Sequence, residues 1–195
     1  MKLLICGDSF SSDQLAGDFG WPILLRNTHD VTNISHPGVG EYKILQQLKS
    51  QNLQLYDLII ISHTSPYRIH CEENPLYDKD HLYRKSDIIF ADAENKKTLI
   101  SSSLCDYFNL VFDLEYYKFV HSGYCSAINQ LIAEKPALHI THFDWSDLYR
   151  FPNLTNFYNL WKGNKGQYCH YTVQGNQQVY DILQSKIKLI IDDHA

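Results

Sequence analysis

The first apolar run of the chain, Lys2-Leu3-Leu4-Ile5-Cys6, breaks abruptly into Gly7-Asp8-Ser9. An apolar run ended by glycine reads as a buried strand, and in an open α/β sheet ligands bind at the carboxyl ends of the strands. Ser9 then stands at a sheet edge, where Gly7 permits a sharp turn and the following backbone N–H groups can stabilise a developing anion. Taken alone, Gly-Asp-Ser is equally well a plain turn. Three further segments carry reactive side chains: Asn33-Ile34-Ser35-His36-Pro37-Gly38-Val39-Gly40-Glu41, Ser62-His63-Thr64-Ser65-Pro66 and Cys169-His170-Tyr171-Thr172-Val173-Gln174-Gly175-Asn176.

The elements that position these segments follow from hydrophobic periodicity. Strands are expected at 2–6, 30–35, 57–62 and 137–142, and helical spacing runs through 21–27, 41–50, 97–134 and 175–190. Strands alternating with helices imply a parallel sheet covered on both faces. The stretch 65–96 is polar, charged and aromatic with no clean period. It reads either as a lid or substrate-binding insertion beside a strand end, or as a packed surface excursion with short helices.

Bulk properties narrow the class. At 195 residues the chain suits one well-buried α/β domain. Its net charge of −5, with no basic run, disfavours nucleic acid as a partner. The five cysteines are scattered without a Cys-x-x-Cys pair, which argues against a disulfide or zinc framework. No apolar run approaches membrane-spanning length, and the opening run is too short for a signal peptide, so a cytoplasmic protein with reduced thiols is expected. The histidines lack the His-Glu-x-x-His spacing, so no metal and no cofactor are expected.

The order of the four segments, their strand-end placement and the spacing from His170 to Gly175 resemble the SGNH, or GDSL, hydrolase family, over nearly the whole chain. That resemblance implies a three-layer α/β/α sandwich with a flavodoxin-like parallel sheet. It also implies Ser9 as nucleophile, His170 as general base, and the Ser9 and Gly38 N–H groups as oxyanion donors. Asp8 matches the motif and is expected to order the turn. These roles agree with the chemistry, because a serine hydroxyl needs a base and histidine titrates near neutrality.

Two positions depart from the family pattern. Gln167 stands where the family has an acid three residues before the histidine, and Ser62-His63-Thr64-Ser65 replaces the usual Gly-x-Asn-Asp, removing an oxyanion-hole asparagine. Thr64 is the candidate replacement donor. Gln167 and Asp144 are candidate orienters of His170, and His63 and Arg68 candidate substrate-binding residues, Arg68 for an anionic group. Each has a structural alternative: Thr64 as a turn cap, His63 as a satisfied core residue, Asp144 as a helix cap, Arg68 as a solvated surface residue. Cys169 is expected in the core. The reading favoured is a serine esterase acting on a small acyl ester of a carbohydrate or related metabolite. The alternatives are an O-acyltransferase on a sugar and a catalytically weakened SGNH-fold binding module. A flavin or nucleotide binder is disfavoured, because no phosphate-binding loop is present.

Overall fold

The computed structural model describes residues 1–16, 19–145, 148–149, 151, 153–167 and 170–194. Five strands form one parallel sheet: β1 (Lys2–Gly7), β2 (Asp30–Asn33), β3 (Leu58–His63), β4 (Ala137–Thr141) and β5 (Leu154–Asn156). Their order is β2-β1-β3-β4-β5. This is the doubly wound order in which the crevice opens where the winding reverses, beside the carboxyl end of β1. The protein is a three-layer α/β/α fold.

The helices are α1 (Asp13–Ala16), α2 (Trp21–Leu25), α3 (Glu41–Lys49), α4 (Phe90–Asn95), α5 (Leu99–Leu110), α6 (Leu114–Leu131), α7 (Tyr158–Gly163) and α8 (Val173–His194). Alternation along the strands sends side chains to opposite faces. Leu3, Ile5, Leu58 and Ile60 meet Trp21 and Leu25 of α2 and Val179, Leu183 and Ile187 of α8. On the other face, Leu4, Cys6, Ile59 and Ile61 meet Ile44, Leu45 and Leu48 of α3 and Ile128 of α6.

Several expected boundaries shift for local reasons. β2 ends at Asn33 rather than residue 35, because Ile34 and His36 donate singly to the Ile5 and Gly7 carbonyls instead of continuing the ladder. The expected single helix at 97–134 is two, α5 and α6. The break falls at 111–113, where the Asp113 carboxylate caps α6 by accepting the Glu115 and Tyr116 N–H groups. β5 was not expected: its three residues are too few to show a period. Residues 65–96 form an ordered excursion in which Ile69 bridges Ile88 and a small apolar cluster of Leu76, Ile88 and Ala93 packs on Leu104 and Phe108 of α5. No helix among the described residues is long and apolar enough to cross a membrane.

Candidate active site

The Gly-Asp-Ser turn is built by close approach of β1 to β3. A Cβ at Gly7 would lie 2.4 Å from Ser11 Oγ and 2.5 Å from Ser62 Cβ, so only glycine fits. Asp8, the next residue, is completely buried. Its Oδ1 accepts the Phe10 N–H at 3.0 Å, closing an Asx turn around Ser9. Its Oδ2 accepts the Thr64 hydroxyl at 2.9 Å and lies 3.4 Å from the Arg68 guanidinium. Ser9 itself is half-buried.

Burial pushes the Asp8 carboxyl up from 3.8 to about 6, against the opposing pull of Arg68, the Phe10 N–H and Thr64. The folded state therefore holds a proton that the unfolded chain releases near pH 4, and stability falls as pH rises from about 4 to about 6. A displacement of this size corresponds to about 3 kcal/mol. Asp8→Asn retains an acceptor for Phe10 and carries no ionisation cost. Urea denaturation should show the variant gaining about that much on wild type between pH 4 and pH 7. A difference that stays flat with pH would show Asp8 ionised throughout.

The second segment docks on this turn. The Ile34 N–H reaches the Ile5 carbonyl at 3.0 Å, the His36 N–H reaches the Gly7 carbonyl at 3.1 Å, and Ser11 Oγ lies 2.9 Å from Ser35 Oγ. Gly38 adopts φ +74°, a left-handed conformation that glycine takes without strain. Its carbonyl accepts the Asp87 N–H at 2.9 Å, and the Asp87 Oδ2 accepts the Gly40 N–H at 2.5 Å. Asp87 thus holds both ends of the Gly38–Gly40 turn and is itself paired with Lys43 at 3.2 Å and His70 at 3.0 Å. Nothing in the local sequence around Asp87 marks this role, because its partners lie far away along the chain.

The third segment takes its structural alternatives. His63 lies in the interior, with Nδ1 2.6 Å from Glu41 Oε1 and Nε2 2.9 Å from His139 Nδ1. Burial alone would raise the Glu41 carboxyl, but His63 and its hydrogen bond outweigh that and hold it low. Thr64 is also committed: its hydroxyl donates to Asp8, its N–H lies 3.3 Å from Glu41 Oε2, and its carbonyl accepts from the Tyr149 hydroxyl. It braces the turn instead of presenting a donor to an oxyanion. Arg68 is a largely buried residue, not a solvated one, and it lines a cleft with Gly40, Tyr42, His70, Asp87 and Tyr124.

The last segment folds back so that the His170 N–H donates to the Gln167 carbonyl at 3.0 Å and the His170 carbonyl accepts the Gly166 N–H at 2.6 Å. The His170 ring centroid lies 5.1 Å from that of Phe10, the residue after Ser9. Phe10 also stacks on His142 at 4.5 Å. His142 Nδ1 lies 2.8 Å from the Tyr171 hydroxyl. Burial, aided by nearby His170, lowers His142 to about 3, so it stays neutral. Gln167 and Asp144 are both exposed, and neither supplies the buried carboxylate of a triad. Cys169 lies outside the described residues.

No family model and no curated protein matches the sequence. Comparison of the structure is more informative. The acetyl xylan esterase AlAXEase is similar over 96% of this chain and 100% of its own, with a TM-score of 0.59 and 11% identity. This chain shares its fold. An extracellular lipase from Streptomyces rimosus matches 72% of this chain and 58% of its own at 14% identity, with a TM-score of 0.33. At such identities the likeness to the acetyl xylan esterase establishes the α/β/α architecture.

Proposed function

We propose that the chain is an SGNH-type serine hydrolase that cleaves a small acyl ester, on a carbohydrate or related metabolite, through a Ser9 acyl-enzyme. The observation that carries this reading is the packing of the His170 ring on Phe10, which brings the only histidine of the last segment to the Gly-Asp-Ser turn. The shared fold with an acetyl xylan esterase points the same way.

In this mechanism Ser9 Oγ attacks the acyl carbon and passes its proton to His170. The tetrahedral oxyanion is held by the Ser9 and Gly38 N–H groups. Collapse breaks the ester bond, and His170 returns the proton to the leaving alkoxide. Water then attacks the acyl-enzyme with His170 again as base, releasing the carboxylic acid and Ser9. The hydrogen bond from Thr64 to Asp8 leaves two oxyanion donors where the family has three. One such donor contributes about two to three orders of magnitude in rate. The insertion at 65–96 supplies the binding side of the cleft. There Arg68 Nε is buried with no acceptor among the described residues, and it suits an anionic group on the substrate.

Labelling with a fluorophosphonate, read by intact mass, tests the class, because only an activated serine reacts. One adduct on Ser9 with turnover of p-nitrophenyl acetate supports hydrolysis. An adduct with product formed only when a sugar hydroxyl is supplied identifies the O-acyltransferase. An unlabelled protein identifies the binding module.

Gly38→Ala probes the oxyanion loop. The added Cβ would sit 2.6 Å from Ser86 Cβ, on a backbone at φ +74°. We expect a stability loss of about 1–3 kcal/mol and a fall in kcat of about two to three orders of magnitude as the N–H leaves its place. Unchanged kcat would remove Gly38 from the oxyanion hole.

A further inference from the structure

Four side chains that the hydrolytic chemistry leaves unused meet between the sheet and helices α3 and α6. Glu41 comes from the first turn of α3, His63 from the end of β3, and His121 and Cys125 from α6. One carboxylate oxygen of Glu41, one ring nitrogen of His63 and the Cys125 sulfur all lie within 4.8 Å of one another, and all three residues are buried. His121, only 4% exposed, points Nε2 toward Glu41 Oε2 at 3.8 Å, and that nitrogen is buried with no hydrogen-bond partner among the described residues. His121 and Cys125 stand four residues apart on one helix and so share a face.

The geometry points to a binding site for a zinc-type divalent ion, held by Glu41, His63, His121 and Cys125. One thiolate, two imidazoles and one carboxylate form a four-coordinate donor set suited to a borderline-soft d¹⁰ ion, whereas magnesium and calcium require oxygen donors. Tetrahedral bonds of about 2.0–2.3 Å place donor atoms roughly 3.2–3.8 Å apart. Glu41, His63 and Cys125 lie within 4.8 Å of one another and His121 Nε2 lies 3.8 Å from Glu41, so occupancy requires the 2.6 Å contact between Glu41 and His63 to open and the sulfur and the His121 ring to move inward. Each ion enters in exchange for the Cys125 thiol proton, which passes to solvent, and His63 binds through Nδ1 as a neutral imidazole with its single proton on Nε2, directed at His139 Nδ1. The carboxylate and thiolate together neutralise the double positive charge, so no net charge is buried.

The surroundings supply what a metal site needs beyond its ligands. A metal-bound histidine is held through its other nitrogen, and His63 Nε2 lies 2.9 Å from His139 Nδ1. The cleft beside Arg68 is lined by both Glu41 and His121, which gives the ion a path from solvent. The remaining Glu41 contact, with the Thr64 N–H at 3.3 Å, ties the site to the turn that braces Asp8. Sequence spacing gave no sign of this site and predicted none, because its donors come from three separate elements.

The 195-residue chain, produced with zinc in the medium and purified without chelator, should carry one zinc ion per chain by elemental analysis. Cobalt(II) reconstitution should give the intense visible bands of a tetrahedral ion and a near-ultraviolet thiolate charge-transfer band. Cys125→Ser should abolish the charge-transfer band, and His121→Gln should weaken zinc affinity by a factor of about 10–100 or more. Chelation should lower the Tm, since an ion bound only to the folded state stabilises it. Should Cys125→Ser fail to fold, the cobalt spectrum of the wild-type protein decides by itself. Absence of stoichiometric metal after zinc loading, or a cobalt complex without the thiolate band, would overturn the site.

Discussion

Ser9→Ala is expected to eliminate fluorophosphonate labelling and to lower ester hydrolysis by about four orders of magnitude or more while the fold persists. In the proposed mechanism the hydroxyl forms and breaks the covalent bond, so no other group substitutes for it. The loss of a single oxygen from a half-buried turn has little structural consequence. The elements that set that turn, the Asp8 carboxylate and the Phe10 N–H, remain in place. Circular dichroism and Tm should match wild type within a few degrees, and turnover should fall to the rate of the oxyanion donors alone. Full activity in Ser9→Ala would exclude the acyl-enzyme mechanism.

On the same proposal His170→Ala should lower turnover nearly as far, because the serine would then lack the base that takes its proton. Residues that act as one unit are not additive, so the Ser9→Ala, His170→Ala double variant should be scarcely slower than either single variant. The ring also packs on Phe10, so a modest drop in Tm is expected alongside the kinetic loss. His142 provides the control. It also stacks on Phe10 and is held neutral at about 3. His142→Gln should therefore leave the acid limb of the pH–rate profile where it was. Movement of that limb in the His142 variant rather than with His170 would reassign the base.

Much of this protein was legible in order along the chain. The apolar run into Gly7 marked β1 and its turn, strands alternating with helices marked the parallel α/β sheet, and the spacing around His170 marked the last segment. These signals are local: a strand or an amphipathic helix declares itself by a period of two or 3.6 residues within its own length. β5 is invisible to periodicity because three residues show no period, and it is defined by its pairing with β4. The break between α5 and α6 depended on one capping carboxylate, Asp113, inside an otherwise continuous helical pattern.

What side chains do once folded was a tertiary decision. His63 stands beside Thr64 at a strand end, where a satisfied core position is the commoner outcome and a substrate contact the alternative. Its partner Glu41 lies 22 residues away in sequence, and only the packing of α3 on the sheet decided between them. Thr64 and Arg68 are committed to Asp8 across 56 and 60 residues. Asp87 grips the Gly38–Gly40 turn from the far side of the 65–96 excursion. A buried polar group must find a partner, and which partner it finds depends on which elements the hydrophobic faces bring together. The sequence by itself determined most of the elements and the turn that presents Ser9. Their packing alone decided which of the neighbouring polar residues face the cleft and which are spent holding it in shape.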